Sequence, residues 1–267
     1  MTNRCPSIAI RSPQTSTTLI SPASYMDSLP QELLEKIIEH LPEWDAATSS
    51  LVSKRWRRKS QQIYFESVRF FSPQWAAAWE ANVPQDPDGI PSYVRHVEFH
   101  SVTKPSFEPA IFGRILKSFE SMVTLTVDGA EIPLAKELTG PVSLGEFGKN
   151  VTRLVFANML YTPLSALVEF IFSFPNLKEL VVNKIALESY EPAPILPSAL
   201  NRGPLELLVL WKITTEVKKA FIQHQLASRT LCLNSYREDT EELIRISSKS
   251  LVTLVLFGMR PLWASRE

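Results

Sequence analysis

The sequence predicts a short three-helix cluster followed by a long, irregular α/β array whose strands lie parallel in one sheet. Two observations carry this. Between residues 28 and 65 the apolar residues recur at helical spacing and are punctuated by Pro42. From Phe65 onward an apolar-x-x-apolar-x-apolar pattern returns eight times at a nearly fixed interval. The expected division is a disordered tail over 1–24, the helical cluster over 25–65 and the array over 66–267.

The first helix starts at Ser28 and Gln31, which have capping-box spacing, with Pro30 in the first turn where a missing N–H costs nothing. Leu33, Leu34, Ile37, Ile38 and Leu41 form one wide stripe, opposed by Glu32, Glu35, Lys36 and Glu39. Pro42 ends that helix and Asp45 is placed to cap a second. A third follows with Val52, Trp56, Ser60 and Ile63 on one face. Three helices this short cannot bury all these side chains against each other, so part of the stripe is expected to face a partner.

The repeat reads FESVRF, VRHVEF, MVTLTV, VTRLVF, LKELVV, LELLVL, SRTLCL and LVTLVL, and only SRTLCL breaks its first apolar position. Its middle apolar residues are Val68, Val97, Leu125, Leu154, Leu180, Leu208, Leu231 and Leu254, separated by 29, 28, 29, 26, 28, 23 and 23. Helical segments lie between: Ser72-Pro73 opens one, and others are expected over 107–119, 163–174, 216–226 and 240–247. Residues 188–203 are Pro-rich and read as irregular. Strands alternating with helices at this period give a parallel sheet backed by helices, and no unit can bury its own apolar face alone.

Leu29-Pro30, the Leu33/Ile37/Ile38 spacing and Leu51-Val52-Ser53-Lys54-Arg55-Trp56 resemble an F-box, over about a seventh of the chain. The F-box is the three-helix module by which substrate receptors dock onto the Skp-type adaptor of cullin–RING (SCF) ubiquitin ligases. The resemblance implies adaptor contacts from Leu29, Pro30, Leu33, Leu34, Ile37, Ile38, Leu41, Leu51, Val52 and Trp56. One departure is the middle helix, Asp45-Ala46-Ala47-Thr48-Ser49-Ser50, where the family usually places leucines. Each missing large side chain removes ~1.5–3 kcal/mol where the position is buried. Weaker adaptor binding, or more reliance on the first and third helices, follows.

The array resembles degenerate leucine-rich repeats, which implies an irregular solenoid with a parallel concave sheet. The asparagine that usually follows each strand is replaced by Val102, Ala130 and Met159 among others, so packing is expected to hold the turns. Together the two resemblances imply a substrate receptor that binds a Skp-type adaptor, and through it cullin and RING subunits, and holds a protein substrate on its repeats. The rival readings are an interaction scaffold without a ligase role and nucleic-acid binding through residues 54–59.

Composition narrows the alternatives. Of 267 residues 45% are hydrophobic and 21% charged, and Lys plus Arg equals Asp plus Glu at 28, so no global field attracts nucleic acid or an anionic membrane. Cys5 and Cys232 cannot build a disulfide framework and fit a reducing compartment, cytoplasmic or nuclear. No apolar run is long enough to span a membrane, and phosphate-loop motifs are absent, so no cofactor is expected. Residues 1–24, rich in Ser, Thr and Pro, also allow a transit sequence, but their sparse apolar residues show no amphipathic period.

Candidate substrate residues follow from strand alternation. The face opposite the core presents His96, His100, Asp128, Arg153 and Glu179 on the early strands and Leu207, Val209, Trp211, Val255 and Phe257 on the later ones. Large apolar residues at solvent-facing positions mark a binding surface, unless a loop or the C-terminal tail covers them. His96 and His100 are ~13 Å apart along a strand, too far for one metal ion, and no metal site or catalytic constellation presents itself. Lys54, Arg55, Arg57, Arg58 and Lys59 surround Trp56, but at helical spacing Trp56 turns inward, leaving a solvated basic face. The last strand, 251–259, is followed only by Arg260–Glu267. Leu251, Leu254, Leu256, Met259 and Leu262 are therefore expected to be partly exposed, with Trp263 the only large residue available to fold over them, so that either the chain is a shortened member of its family or a partner or second copy covers the end.

Overall fold

In the computed structural model the described residues are 29–83, 89–101, 109–129, 147–159, 163–186, 203–234 and 238–257. The expected N-terminal tail, Ser28, Val102, Ala130, most of the 188–203 segment and the residues after 257 lie outside them.

Among the described residues three helices come first: α1 (Gln31–Glu39), α2 (Glu43–Ser49) and α3 (Lys54–Tyr64). The expected capping box does not describe α1. Pro30 is its N-cap, with no side-chain bond, and its carbonyl accepts from the N–H groups of Leu33 and Leu34, both at 3.1 Å. Gln31 uses its amide elsewhere, donating to Glu35 at 3.0 Å and accepting from Arg55 at 3.4 Å. Asp45 likewise is not a cap. Pro42 begins α2, accepting from Asp45 and Ala46 N–H at 3.0 Å, and Asp45 sits in the first turn, where its charge suits the helix dipole. Val52 precedes α3 and is exposed, so it does not share the buried face of Trp56 and Ser60.

Eight strands follow, β1 (Ser67–Phe70), β2 (His96–Ser101), β3 (Thr124–Gly129), β4 (Arg153–Ala157), β5 (Glu179–Asn183), β6 (Leu205–Trp211), β7 (Ser228–Leu233) and β8 (Thr253–Leu256). All pair parallel, in chain order, in one sheet. Between them lie α4 (Pro73–Asn82), α5 (Ile90–Tyr93), α6 (Pro109–Ser118), a 3-10 turn (Phe147–Lys149), α7 (Leu164–Phe172), α8 (Thr215–Gln223) and α9 (Glu238–Ser247). Ser72 caps α4 as expected, its hydroxyl accepting from the Trp75 N–H at 3.4 Å.

The eight marker residues fall in one row. Val68 pairs with Val97, Val97 with Leu125, and so on through Leu154, Leu180, Leu208 and Leu231 to Leu254. Val97 through Leu231 are fully buried. A second buried row two residues on runs from Phe70 through Phe99, Val127, Phe156 and Val182 to Leu210 and Leu233. These rows and the inner faces of the helices, among them Phe112, Leu167, Phe170 and Phe221, form one continuous core. Only at β8 does the row open: Leu254 is 39% exposed and Val252 82%. This agrees with the expected exposure at that end for the residues described.

Two backbone devices repeat. Just before each of β1 to β5, one carbonyl receives two N–H groups from the next strand: Glu66 from Arg95 and His96 at 2.8 and 2.9 Å, Lys178 from Glu206 and Leu207 at 2.8 and 3.2 Å. At the far ends of β3 to β6, Gly129, Asn158, Lys184 and Lys212 adopt positive φ of 128°, 51°, 54° and 49°. The N–H groups of Asn158 and Lys184 then extend the sheet, donating to Asn183 and Trp211 carbonyls at 3.0 and 2.8 Å. The positions that follow hold Met159, one of the residues standing where the asparagine is usual, and Ile185, both in the core. Backbone bonds and apolar filling close these turns.

Candidate functional site

The helical cluster has a very small interior. Leu34, Ile38 and Trp56 are buried together, with Ile63 packed against them. In this structure these three side chains, which the resemblance places among the adaptor contacts, form the cluster's own core. Leu33 and Ile37, one residue earlier in each pair, stay exposed, as do Leu51 and Val52. Leu29 and Leu41 are half-buried and Pro30 is exposed.

The middle helix also reads differently once folded. Ala46 is fully buried, where α2 packs against α3, so a small residue there permits close approach rather than depriving an outer surface. Trp44, in the first turn of α2, is 72% exposed and supplies the apolar area that the alanines lacked. No local sequence signal marks it, because whether a side chain in the first turn of α2 is covered depends on neighbours distant in sequence. The outward apolar set is thus Leu33, Ile37, Trp44, Leu51 and Val52.

The basic run around Trp56 is partly spent on the cluster itself. Arg55 donates to the Leu29 carbonyl at 2.7 Å and ties the start of α1 to α3. Lys59 lies 2.5 Å from Glu39 and holds that carboxyl below the usual range through a hydrogen bond and its charge. Lys54, Arg57 and Arg58 are exposed.

On the sheet, the alternate residues opposite the core form an open, half-buried face. Its early half is charged and pairs internally. Arg69 meets Glu98 at 2.9 Å and Arg153 meets Glu179 at 3.1 Å across β4 and β5. His100 stands between Glu98 at 3.2 Å and Asp128 at 3.4 Å, with its ring stacked on Phe71. Asn158 reaches back to donate to Asp128 at 2.8 Å. His96 lies two pleat repeats away, level with Thr124. Among the described residues no group of three or more His, Cys, Asp and Glu is placed to hold a metal ion.

The late half is apolar. Leu207, Val209 and Trp211 on β6 lie beside Cys232 on β7 and Val255 on β8, all half-buried, and Phe257 follows β8. Burial pushes the Cys232 thiol up, so it remains a neutral, apolar member of the patch. His224, by contrast, is buried in the helical layer, bonded to the Ala220 carbonyl at 2.7 Å and stacked on Phe172. No helix among the described residues is long and apolar enough to cross a membrane.

The two candidate surfaces therefore differ in kind: a ring of exposed apolar side chains around a minimal helical core, and a sheet face that changes from self-paired charge to apolar. No curated protein matches the chain. Residues 26–79 match the family model of the F-box domain, a span that runs through the three helices and β1 into α4, and this supports reading the chain as an F-box protein.

Proposed function

We propose that the chain is the substrate-recognition subunit of an SCF-type ubiquitin ligase, with no catalytic chemistry of its own. The helical cluster docks the Skp-type adaptor, and through it the cullin and RING subunits. The eight-stranded array is a degenerate leucine-rich-repeat solenoid, and its open face holds a protein substrate for ubiquitination by other subunits.

One observation carries this reading. Among the described residues the cluster's apolar centre is Leu34, Ile38 and Trp56, with Ala46 buried beside α3, yet Leu33, Ile37, Trp44, Leu51 and Val52 stay in water. Apolar area of that extent, on helices too short to stand alone, has its use in a partner. The apolar half of the sheet face, Leu207, Val209, Trp211, Val255 and Phe257, supports a second docking surface. The recurrence of the strands every 23 to 29 residues and their unbroken chain-order pairing support the repeat assignment. Cytoplasmic or nuclear residence belongs to the same proposal.

The alternative of a scaffold without adaptor contact rested on the alanines of α2, and Trp44 together with the buried Ala46 weakens that motive. Mixing the full-length chain with recombinant adaptor tests the proposal. Co-elution at micromolar concentration is expected, and a folded chain that stays separate at that concentration removes it.

A further inference from the structure

A groove of about 560 Å³ opens where the helical cluster meets the sheet, between α2, the end of α3, β1 and α4. Its walls are aromatic. Tyr64, Phe71 and Trp75 are each more than a third exposed, and Phe71 and Trp75 stand edge to face with ring centroids 5.5 Å apart. Glu43 adds a carboxylate from the α2 side. The other charged residue of the lining, Arg69, is answered by Glu98 at 2.9 Å, whereas no ion pair engages Glu43 among the described residues.

The floor of the groove is the outer edge of β1. Glu66 turns its carbonyl toward β2, where it accepts from Arg95 and His96. Backbone groups alternate sides along a strand, so those of Ser67 and Arg69 turn the other way, into the groove. Among the described residues β1 pairs with β2 alone.

We propose that this groove binds a lysine or arginine side chain carried on an extended segment of a partner protein. A cation is the ligand that both the Glu43 carboxylate and the negative faces of the rings attract. A row of outward N–H and C=O groups suits an extended backbone that adds to the sheet as one more strand. An acidic segment would be repelled by Glu43, and a neutral one would leave that charge unanswered. The groove shares no side chain with the apolar adaptor face, so this proposal and the functional reading above fail separately.

The test uses the full-length protein and three randomised heptapeptide pools whose central residue is fixed as Lys, Gln or Glu. Retention of the central-Lys pool at least tenfold above the central-Gln pool is expected, with the central-Glu pool lowest. Binding should slow amide exchange at Ser67 and Arg69. Glu43→Gln, at an exposed position, should abolish the preference while leaving the thermal midpoint unchanged, and Trp75→Ala should abolish it while lowering the midpoint by no more than the loss of its Phe71 ring contact. Equal retention of the three pools overturns the proposal, and so does a Lys preference that survives both substitutions. A Lys preference in a chain that fails to bind the adaptor still supports the groove and counts against the functional reading alone.

Discussion

Trp211 at the end of β6 and Phe257 after β8 meet edge to face, ring centroids 5.0 Å apart, although a whole strand separates their own. The strand between, β7, ends at Leu233. The contact ties the last strand of the sheet to the strand before its neighbour. A double-mutant cycle of Trp211→Ala and Phe257→Ala should give a coupling of ~0.5–1.5 kcal/mol in urea unfolding. Additive effects would show that the rings do not support each other.

Within the helical cluster, inward and outward residues should separate cleanly. Leu34→Ala should cost ~2–5 kcal/mol of stability because it empties the centre of a very small core. Trp44→Ala should leave thermal unfolding nearly untouched and weaken adaptor binding by roughly 2 kcal/mol or more, as expected of an aromatic anchor. Ile37→Asp should act like Trp44→Ala, and Glu35→Ala should do little to either property. Calorimetric titration and thermal melts on the same samples read both.

The buried row predicts a gradient along the sheet. Leu154→Ala, at a fully buried middle position, should destabilise by ~2–5 kcal/mol, whereas Leu254→Ala, at the open end, should cost less than about 1 kcal/mol. Urea midpoints of the two variants would decide it, and equal losses would mean that β8 is better covered than its exposure indicates.

Lys184 tests the turn geometry. At φ 54° a β-branched residue is strained, so Lys184→Ile should cost ~1–3 kcal/mol, and Lys184→Gly should cost much less or nothing. Thermal midpoints in that order would confirm that the left-handed backbone, not the side chain, limits this position.

Glu80 on α4 is hydrogen-bonded to Arg114 on α6, with Arg114 Nη2 at 3.2 Å, and that bond holds the carboxyl below its ordinary range. A carboxyl whose folded pKa is depressed adds stability above its unfolded pKa and loses it as the pH falls through the folded value. Wild type and Glu80→Gln should therefore differ in thermal midpoint at neutral pH and converge in acid, below the ordinary carboxylate range. Added salt should shrink the difference as well, since Arg114 is exposed and Glu80 only half-buried.

The eight-fold row from Val68 to Leu254 was legible in the sequence because each unit repeats the same local spacing, and a row of neighbours needs nothing more. The division of the α1 stripe was not. Leu33 and Leu34, or Ile37 and Ile38, are adjacent on one amphipathic face, and only the approach of α3 decides which of each pair goes inside. Trp44 escaped for the same reason: whether a side chain in the first turn of α2 is covered depends on neighbours distant in sequence. The charge pairs Arg69–Glu98 and Arg153–Glu179 join equivalent positions one repeat apart on adjacent strands, so the repeat that aligns the buried row aligns them as well. The apolar half of the sheet face was legible, since alternation alone puts Leu207, Val209 and Trp211 opposite the core.

The chain-order pairing of β1 to β8 has an evolutionary consequence. No strand depends on a partner from a distant part of the sequence, so duplicating or deleting one strand–helix unit leaves every remaining strand with a neighbour on the same side. Such a lineage can lengthen or shorten its sheet one unit at a time. The uneven spacing of the markers, 23 residues between some and 29 between others, shows that individual units also change length without disturbing the register of the next.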